Sequence, residues 1–134
     1  MKRLFTILCF GALLFGGCKR ETKDERFRRE FEQFTEKECP KDVSPYTRMD
    51  SIAYDIDRRT LTEYYTVSGE LDIDSLYTDG IIEDFSNNLL KELKGSLSLK
   101  PYKDEGINFA YLYRSITTDK VILELTFTPE DYGK

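Results

Sequence analysis

Histidine is absent from this chain of 134 residues, and tryptophan is absent as well. Without histidine, the commonest general base and the commonest metal ligand are missing, together with every Ser–His or Cys–His catalytic pair. An enzyme with this sequence would need paired carboxylates, a lysine or a metal instead. We therefore favour a binding protein over an enzyme, and we predict no cofactor and no metal.

An excess of positive charge is also missing. The chain has 20 Lys and Arg residues against 25 Asp and Glu residues, which gives a formal net charge of −5. Nucleic-acid binding depends on phosphate neutralisation by clustered Lys and Arg side chains. We therefore predict that nucleic acid is not a partner.

The third absence is that of a long apolar run. The most apolar stretch, residues 4–15, has 12 residues and is shorter than the roughly 18 residues that a membrane-spanning helix needs. Lys2 and Arg3 precede it, and the small residues Gly16 and Gly17 follow. This order of a basic, an apolar and a small-residue zone is typical of a secretory signal peptide.

Residues 14–18 resemble the lipobox of bacterial lipoprotein signals, in which small residues precede a cysteine that is lipidated. They are Leu14, Phe15, Gly16, Gly17 and Cys18. The resemblance implies cleavage before Cys18 and acyl chains, of the palmitate type, on the new N-terminus. Two or three such chains hold a protein stably at a membrane, because each buried methylene contributes about 0.8 kcal/mol. The alternative is an ordinary signal peptide with an incidental cysteine.

The predicted domain organisation follows from this junction. Residues 1–17 form the signal peptide, residues 18–23 the lipidated cysteine and a polar tether, and residues 24–134 a single domain. Lys19, rather than Asp, follows the cysteine, which favours the outer membrane of the cell envelope if the rules for enteric lipoproteins apply. The leaflet stays open. Cys39 is then the only thiol of the domain, and we expect it to be unreactive beside Glu38 and Asp42.

Two helices are predicted from apolar residues at helical spacing. The first begins at a capping box of Thr22 and Glu25 and continues to about residue 36; the second covers about residues 80–94. Alternating apolar residues predict four strands, at residues 47–56, 61–68, 107–116 and 121–127, as two hairpins. We therefore predict an α+β fold in the order αββαββ, with a four-stranded antiparallel sheet and both helices on one face.

Residues 69–79 are predicted to form an acidic loop. Asp72, Asp74 and Glu83 have the spacing of positions 1, 3 and 12 of a calcium-binding EF-hand loop, but Tyr77 occupies the position at which that loop needs glycine. We therefore interpret Asp72, Asp74 and Asp79 as a candidate acidic interaction loop that leads into the second helix.

Two further carboxylates, Asp55 and Asp57, lie near the end of a predicted strand and point to the same side. Together with Asp72 and Asp74 they are the basis of an alternative, a carboxylate-dependent envelope enzyme. The simpler interpretation is a charged hairpin tip.

Tyrosines are frequent in the predicted strands, and tyrosine suits binding surfaces because it combines a large apolar area with a polar tip. Tyr64 and Tyr65 must point to opposite sides of the sheet. Our candidate binding face on the open side of the sheet consists of Tyr54, Tyr64, Tyr111 and Tyr113.

The predicted function is a lipid-anchored envelope protein that contacts the membrane through its lipid and binds a protein partner through the open sheet face or the acidic loop. An inhibitor or immunity-type protein that neutralises a toxin or hydrolase, and a structural role in an envelope complex, are the alternatives. The sequence around Cys39 and Pro40 and at residues 46–51 resembles that of small uncharacterised lipoproteins of Bacteroidetes-like bacteria. This resemblance implies the compartment and the size of the protein but no activity.

Overall fold

The computed structural model describes residues 20–133. The predicted signal peptide, the cleavage site and Cys18 lie outside the described residues. The helices are α1 Lys23–Glu38, α2 Asp79–Gly95, α3 Lys100–Asp104 and α4 Pro129–Tyr132, and the strands are β1 Lys41–Ser44, β2 Thr47–Asp55, β3 Thr60–Val67, β4 Asn108–Ser115 and β5 Val121–Phe127. Two short 3-10 turns, Gly69–Leu71 and Asp74–Leu76, connect β3 to α2.

The strands form one five-stranded mixed sheet in the order β1-β2-β3-β4-β5. All neighbouring pairs are antiparallel except β3 and β4, which are parallel. The parallel pair is possible because the chain between these strands contains α2 and crosses over the sheet, as a parallel connection requires. The element order is therefore α-β-β-β-α-α-β-β-α.

This arrangement corrects the predicted fold. The αββαββ order and the four-stranded antiparallel sheet were wrong, although the α+β class holds. Strand β1 was missed because all four of its residues are exposed, so no apolar alternation marks it. Helices α3 and α4 have five and four residues, which is too short for a periodic signal. The two hairpins were correctly located, but their mutual orientation depends on contacts far apart in sequence.

Helix α1 begins where the capping pattern predicts it. The Thr22 hydroxyl accepts a hydrogen bond from the Glu25 amide at 3.1 Å, which satisfies one of the amides that a helix start leaves without a partner. Phe27 and Phe31 are buried against the sheet, and the Phe27 ring contacts the Tyr54 ring edge-on with centroids 5.7 Å apart.

Helix α2 is capped in the same way by Thr78, whose hydroxyl accepts from the Ile81 amide. Its burial is different, since Leu93 is its only fully buried residue. Four apolar residues of α2 contact the core but are half-buried: Ile82, Phe85, Leu89 and Leu90.

The core lies on the sheet face that both long helices cover. The strand register aligns its inward side chains in rows across four strands, one row consisting of Tyr54, Leu61, Phe109 and Phe127, and another of Met49, Tyr65, Tyr113 and Leu123. All eight side chains are buried. Within residues 20–133, no helix combines the length and apolarity needed to cross a membrane.

Candidate functional site: an apolar groove beside the second helix

A groove of about 270 Å³ lies between the N-terminal half of α2, the 3-10 turns and the sheet. Concave, largely apolar surfaces of this kind are the usual form of binding sites in proteins. We call it the α2 groove, and its lining residues are Thr47, Val67, Leu71, Leu76, Tyr77, Ile81, Ile82, Phe85, Tyr113 and Leu123.

One wall of the α2 groove is the segment that contains the two 3-10 turns. Its shape is stabilised from within, because the Tyr77 hydroxyl donates a hydrogen bond to the Leu71 carbonyl at 2.7 Å. Gly69 has a positive φ of 54°, and a Cβ at this position would lie only 2.7 Å from the Tyr46 ring. A residue other than glycine would therefore displace this wall.

The floor of the α2 groove is aromatic. Tyr113 stacks on Tyr65 with centroids 4.8 Å apart and rings 9° from parallel, and Phe85 of α2 contacts Tyr113 edge-on at 5.4 Å. Burial raises the pKa of the Tyr113 phenol, so the floor is uncharged at neutral pH. Such a floor can accept apolar side chains by contact alone.

A carboxylate lies next to this floor. The Tyr65 hydroxyl donates a hydrogen bond of 2.8 Å to Glu63. Burial raises the pKa of the Glu63 carboxyl, the hydrogen bonds from Tyr65 and Tyr111 oppose the rise, and the negative charge of Glu92 adds to it. Glu63 was not among the candidate residues predicted from the sequence. Its alternation with Leu61 on β3 was the signal that it points toward the core.

The chain segments that line the α2 groove are rich in acidic residues. Residues 60–90 contain seven Asp and Glu residues and no Lys or Arg. Six of the seven, which we call the acidic rim, lie within two residues in sequence of a lining residue, namely Glu70, Asp72, Asp74, Asp79, Glu83 and Asp84. Within residues 20–133, none of these six takes part in an ion pair.

The structure gives the three residues of the predicted acidic loop different roles. Asp72 accepts hydrogen bonds from the hydroxyl and the amide of Thr117, at 2.6 and 3.3 Å, and hydrogen bonds from Ser115 and Thr117 lower the pKa of its carboxyl. Asp74 begins the second 3-10 turn and Asp79 begins α2, both exposed. In the described part of the chain, no group of three or more Cys, Asp or Glu residues could hold a metal ion.

The predicted tyrosine face is not one surface. Tyr54, Tyr111 and Tyr113 are only 4%, 5% and 7% exposed and lie beneath the helices. Tyr64 alone is on the opposite face, where it is half-buried. The physical reason is that successive side chains of a strand point to opposite faces of the sheet. The three buried tyrosines align with core residues of the neighbouring strands. Burial, with a hydrogen bond from its hydroxyl to Asp24 at 2.7 Å, raises the pKa of Tyr54 to about 12.

The carboxylates of the enzyme alternative are separated. Asp55 precedes the start of β3, where its side chain accepts a hydrogen bond from the Arg58 amide at 3.2 Å, and Asp57 lies in the same turn. Asp72 and Asp74 follow the other end of β3. A strand of eight residues is roughly 25 Å long, so these pairs do not form one site.

Cys39 is a half-buried free thiol. Burial, with the nearby charges of Asp50 and Glu38, raises its pKa, which lowers the fraction of reactive thiolate at neutral pH.

Comparison with known proteins places the domain in a family and relates its fold to solved structures. The profile of a domain of unknown function, DUF8479, matches residues 22–123. No curated protein matches the sequence. The crystal structure of a Pseudomonas aeruginosa protein, described as secreted, is similar with a TM-score of 0.66 and 9% identity, over 85% of this chain and 99% of that one.

A pilotin of the type 2 secretion system of Vibrio vulnificus is similar with a TM-score of 0.62 and 7% identity, over 83% of this chain and 92% of the pilotin. At these identities the two likenesses show a common fold.

Proposed function

Since the chain belongs to the DUF8479 family of domains of unknown function, we propose a function from its own geometry: it is a lipid-anchored protein of the cell envelope that binds a segment of a partner protein in the α2 groove. The observation that carries the proposal is the groove itself, an apolar concavity that the protein's own core leaves open.

Apolar contact is the interaction that the α2 groove offers. Ile81 lines it and is 47% exposed, and Ile73 in the wall segment is also exposed. Covering such surface stabilises a complex by about 25 cal/mol per Å² of apolar area removed from water. A partner that inserts two or three aliphatic or aromatic side chains would cover the exposed walls and the aromatic floor together.

The envelope location is supported by two separate observations. Cys18 stands in a lipobox-like sequence, and the two similar folds belong to a protein described as secreted and to a pilotin of a secretion system. Lipidation at Cys18 would anchor the domain at the membrane, with the outer membrane favoured by Lys19.

The position of α1 supports a groove that faces away from the anchor. The start of α1 lies at the end of the sheet where β3 and β4 begin, as shown by the ion pair of Lys23 with Glu105 at 2.8 Å and the contact of Asp24 with Tyr54. The α2 groove lies toward the other end, beside Val67, the last residue of β3. Cys18 precedes Thr22 by four residues, so the lipid would hold the domain by the end remote from the groove.

An inhibitor or immunity-type role is a more specific form of the same proposal. The acidic composition of the chain supports it, because a basic toxin or hydrolase would be attracted to the acidic rim. In this form the groove would take a segment of the enzyme that is to be neutralised.

Site-specific photo-crosslinking in the native envelope tests the proposal. A photoreactive residue is placed at Ile81 in the α2 groove, at Tyr64 on the opposite sheet face, or at Asp57 in the remote hairpin turn. We expect a discrete crosslinked species from position 81 and none from positions 64 and 57. A crosslinked species from position 64 alone would instead favour the open sheet face and overturn the proposal.

The anchor is tested separately, by the intact mass of the protein extracted from its membrane. We expect a chain that begins at an acylated Cys18, and a Cys18→Ala variant that is no longer retained by the membrane. An unlipidated native mass would refute the anchor without affecting the groove.

A further inference from the structure

We infer that the segment bound in the α2 groove is cationic and amphipathic, with apolar side chains in the groove and Lys or Arg side chains against its acidic rim. This inference rests on the proposed function and adds the chemistry of the partner.

Charge is distributed unevenly along the chain. The 31 residues from 60 to 90 contain seven carboxylates and no basic residue, although the whole chain has 20 basic residues. This stretch contains seven of the ten residues that line the groove, the exceptions being Thr47, Tyr113 and Leu123. The uncompensated charge therefore lies around the groove.

Eight carboxylates elsewhere in the described chain form ion pairs with basic side chains, whereas none of the rim does. Glu21 accepts two hydrogen bonds of 2.9 Å from Arg29, and Asp104 is 2.8 Å from Lys100. The side chains of Glu70, Asp74 and Asp84 accept no hydrogen bond and enter no ion pair within residues 20–133. The N-terminal dipole of α2 favours a carboxylate in its first turn, but Glu70 and Asp74 precede that helix.

The basic residues at this end of the sheet are not directed at the rim. Arg48 and Arg114 have the outward parity of their strands, and each pairs on that face with a carboxylate, Arg48 with Asp50 at 2.7 Å and Arg114 with Asp119 at 3.5 Å. Lys120, in the turn before β5, forms no ion pair with a rim carboxylate within residues 20–133. The chain thus leaves its rim charge to be neutralised by a partner.

The charge of Asp72 is maintained at neutral pH. Hydrogen bonds from Ser115 and Thr117 lower the pKa of its carboxyl, and the Thr117 hydroxyl holds it at 2.6 Å. A fixed negative group at the groove favours a Lys or Arg side chain over a carboxylate at the adjacent position of the partner. An anionic lipid surface would be repelled by the same rim.

The test uses the full protein in detergent and two fluorescent peptides with identical apolar residues, one with Lys and the other with Glu at every polar position. Fluorescence anisotropy measures their affinities at low and at physiological salt. We expect the Lys peptide to bind more tightly by roughly tenfold or more at low salt, with the difference falling as salt screens the charges. Equal affinities would overturn the inference.

Variants that remove carboxylate charges show which carboxylates attract the Lys peptide. The triple variant Glu70→Gln, Asp74→Asn, Asp84→Asn should weaken binding of the Lys peptide by roughly three- to tenfold at low salt. The matched control Glu32→Gln, Glu36→Gln, Asp57→Asn removes the same charge from exposed positions away from the groove and should leave binding unchanged. An equal loss in the control would mean attraction by net charge and would overturn the inference.

A groove variant, Ile81→Ser, separates this inference from the proposed function. If Ile81→Ser weakens both peptides equally and the rim triple weakens neither, the groove binds without charge selection, and the inference alone fails. If Ile81→Ser leaves binding unchanged, both the groove and the inference fail. Tighter binding to phosphatidylglycerol vesicles than to the Lys peptide would replace the protein segment by a lipid surface and overturn the inference as well.

Discussion

The two long helices of the domain cover the same sheet face but are attached to it differently. Helix α1 buries Phe27 to 1% exposure, and the Thr35 hydroxyl donates to the Ile52 carbonyl at 2.9 Å and accepts from the Ile52 amide at 3.0 Å. Helix α2 makes its deepest contact near its C-terminal end, at Leu93, whose carbonyl accepts a hydrogen bond from Lys103 at 2.6 Å.

The sheet face is closely covered by α1 and left partly open by the N-terminal half of α2. Along α1, Phe27 and Phe31 pack on the sheet. The Thr35 hydroxyl is hydrogen-bonded to the backbone of Ile52 in β2. Along the N-terminal half of α2, Ile81 remains 47% exposed and Phe85 half-buried. Exposed apolar surface of this kind marks interaction sites on proteins. The difference in burial between α1 and α2 is therefore the physical basis of the proposed function.

The largest effect is expected from matched truncations of one phenylalanine on each helix. Phe27→Ala should lower the free energy of unfolding by about 3–5 kcal/mol, the usual cost of removing a buried aromatic ring. Phe85→Ala should cost clearly less, since Phe85 is half-buried beside an open groove. Urea denaturation of both variants measures the difference. Equal losses would show that α2 is packed as tightly as α1.

A smaller effect is expected at Thr35. Thr35→Val keeps the shape of the side chain and removes the hydroxyl that donates to and accepts from Ile52. We expect a loss of about 1–2 kcal/mol, because a backbone donor and acceptor lose their partner. Thr35→Ser keeps the hydroxyl and is the control. If Val and Ser have the same stability, these hydrogen bonds do not hold α1 to the sheet.

The carboxyl of Glu63 should make stability depend on pH. Its pKa is raised in the folded state, mainly by burial, above the ordinary value of 4.5. The folded protein therefore holds this proton more tightly than the unfolded chain, and the corresponding stability is present below about pH 4.5 and is lost as pH rises through the folded-state pKa. Glu63→Gln should be more stable than the wild type at pH 7 and no more stable at pH 4, as measured by thermal unfolding. A destabilised Glu63→Gln at pH 7 would contradict this.

The smallest effect on folding is expected in the groove. Ile81→Ser should change the free energy of unfolding by no more than about 0.5 kcal/mol, because exposed positions contribute little. The matched control is Leu97→Ser, at an apolar residue that is 83% exposed and lies after α2, away from the groove. A large loss in Ile81→Ser would show that Ile81 belongs to the core.

Local structure could be predicted from the sequence where one strong signal sufficed. Thr22 and Glu25 predicted the start of α1, which begins at Lys23, and the apolar residues Leu123, Leu125 and Phe127 predicted β5, which is Val121–Phe127. Strand β1 has no such signal, since none of its residues is buried.

The arrangement of the strands and helices was harder to predict from the sequence than the individual elements. The pairing of β3 with β4 depends on the crossover through α2, a long-range choice that the local pattern does not contain. The candidate tyrosine face was wrong for the same reason, because Tyr54, Tyr111 and Tyr113 could be assigned to the core only once the strand register was known. The acidic composition of residues 69–79 is visible in the sequence, and the role of this segment in binding stays a prediction. The apolar groove beside it could not be predicted, because it depends on the position of α2 on the sheet.

Binding of a partner in the α2 groove is tested by co-purification of the species that crosslinks at position 81. The wild type, Ile81→Ser and Leu97→Ser are extracted from the native envelope, and the amount of that species is compared. We expect at least a tenfold loss for Ile81→Ser, since an isoleucine that the partner buries contributes roughly 1.5–3 kcal/mol, and full recovery for Leu97→Ser. Equal recovery with all three proteins would contradict binding in the α2 groove.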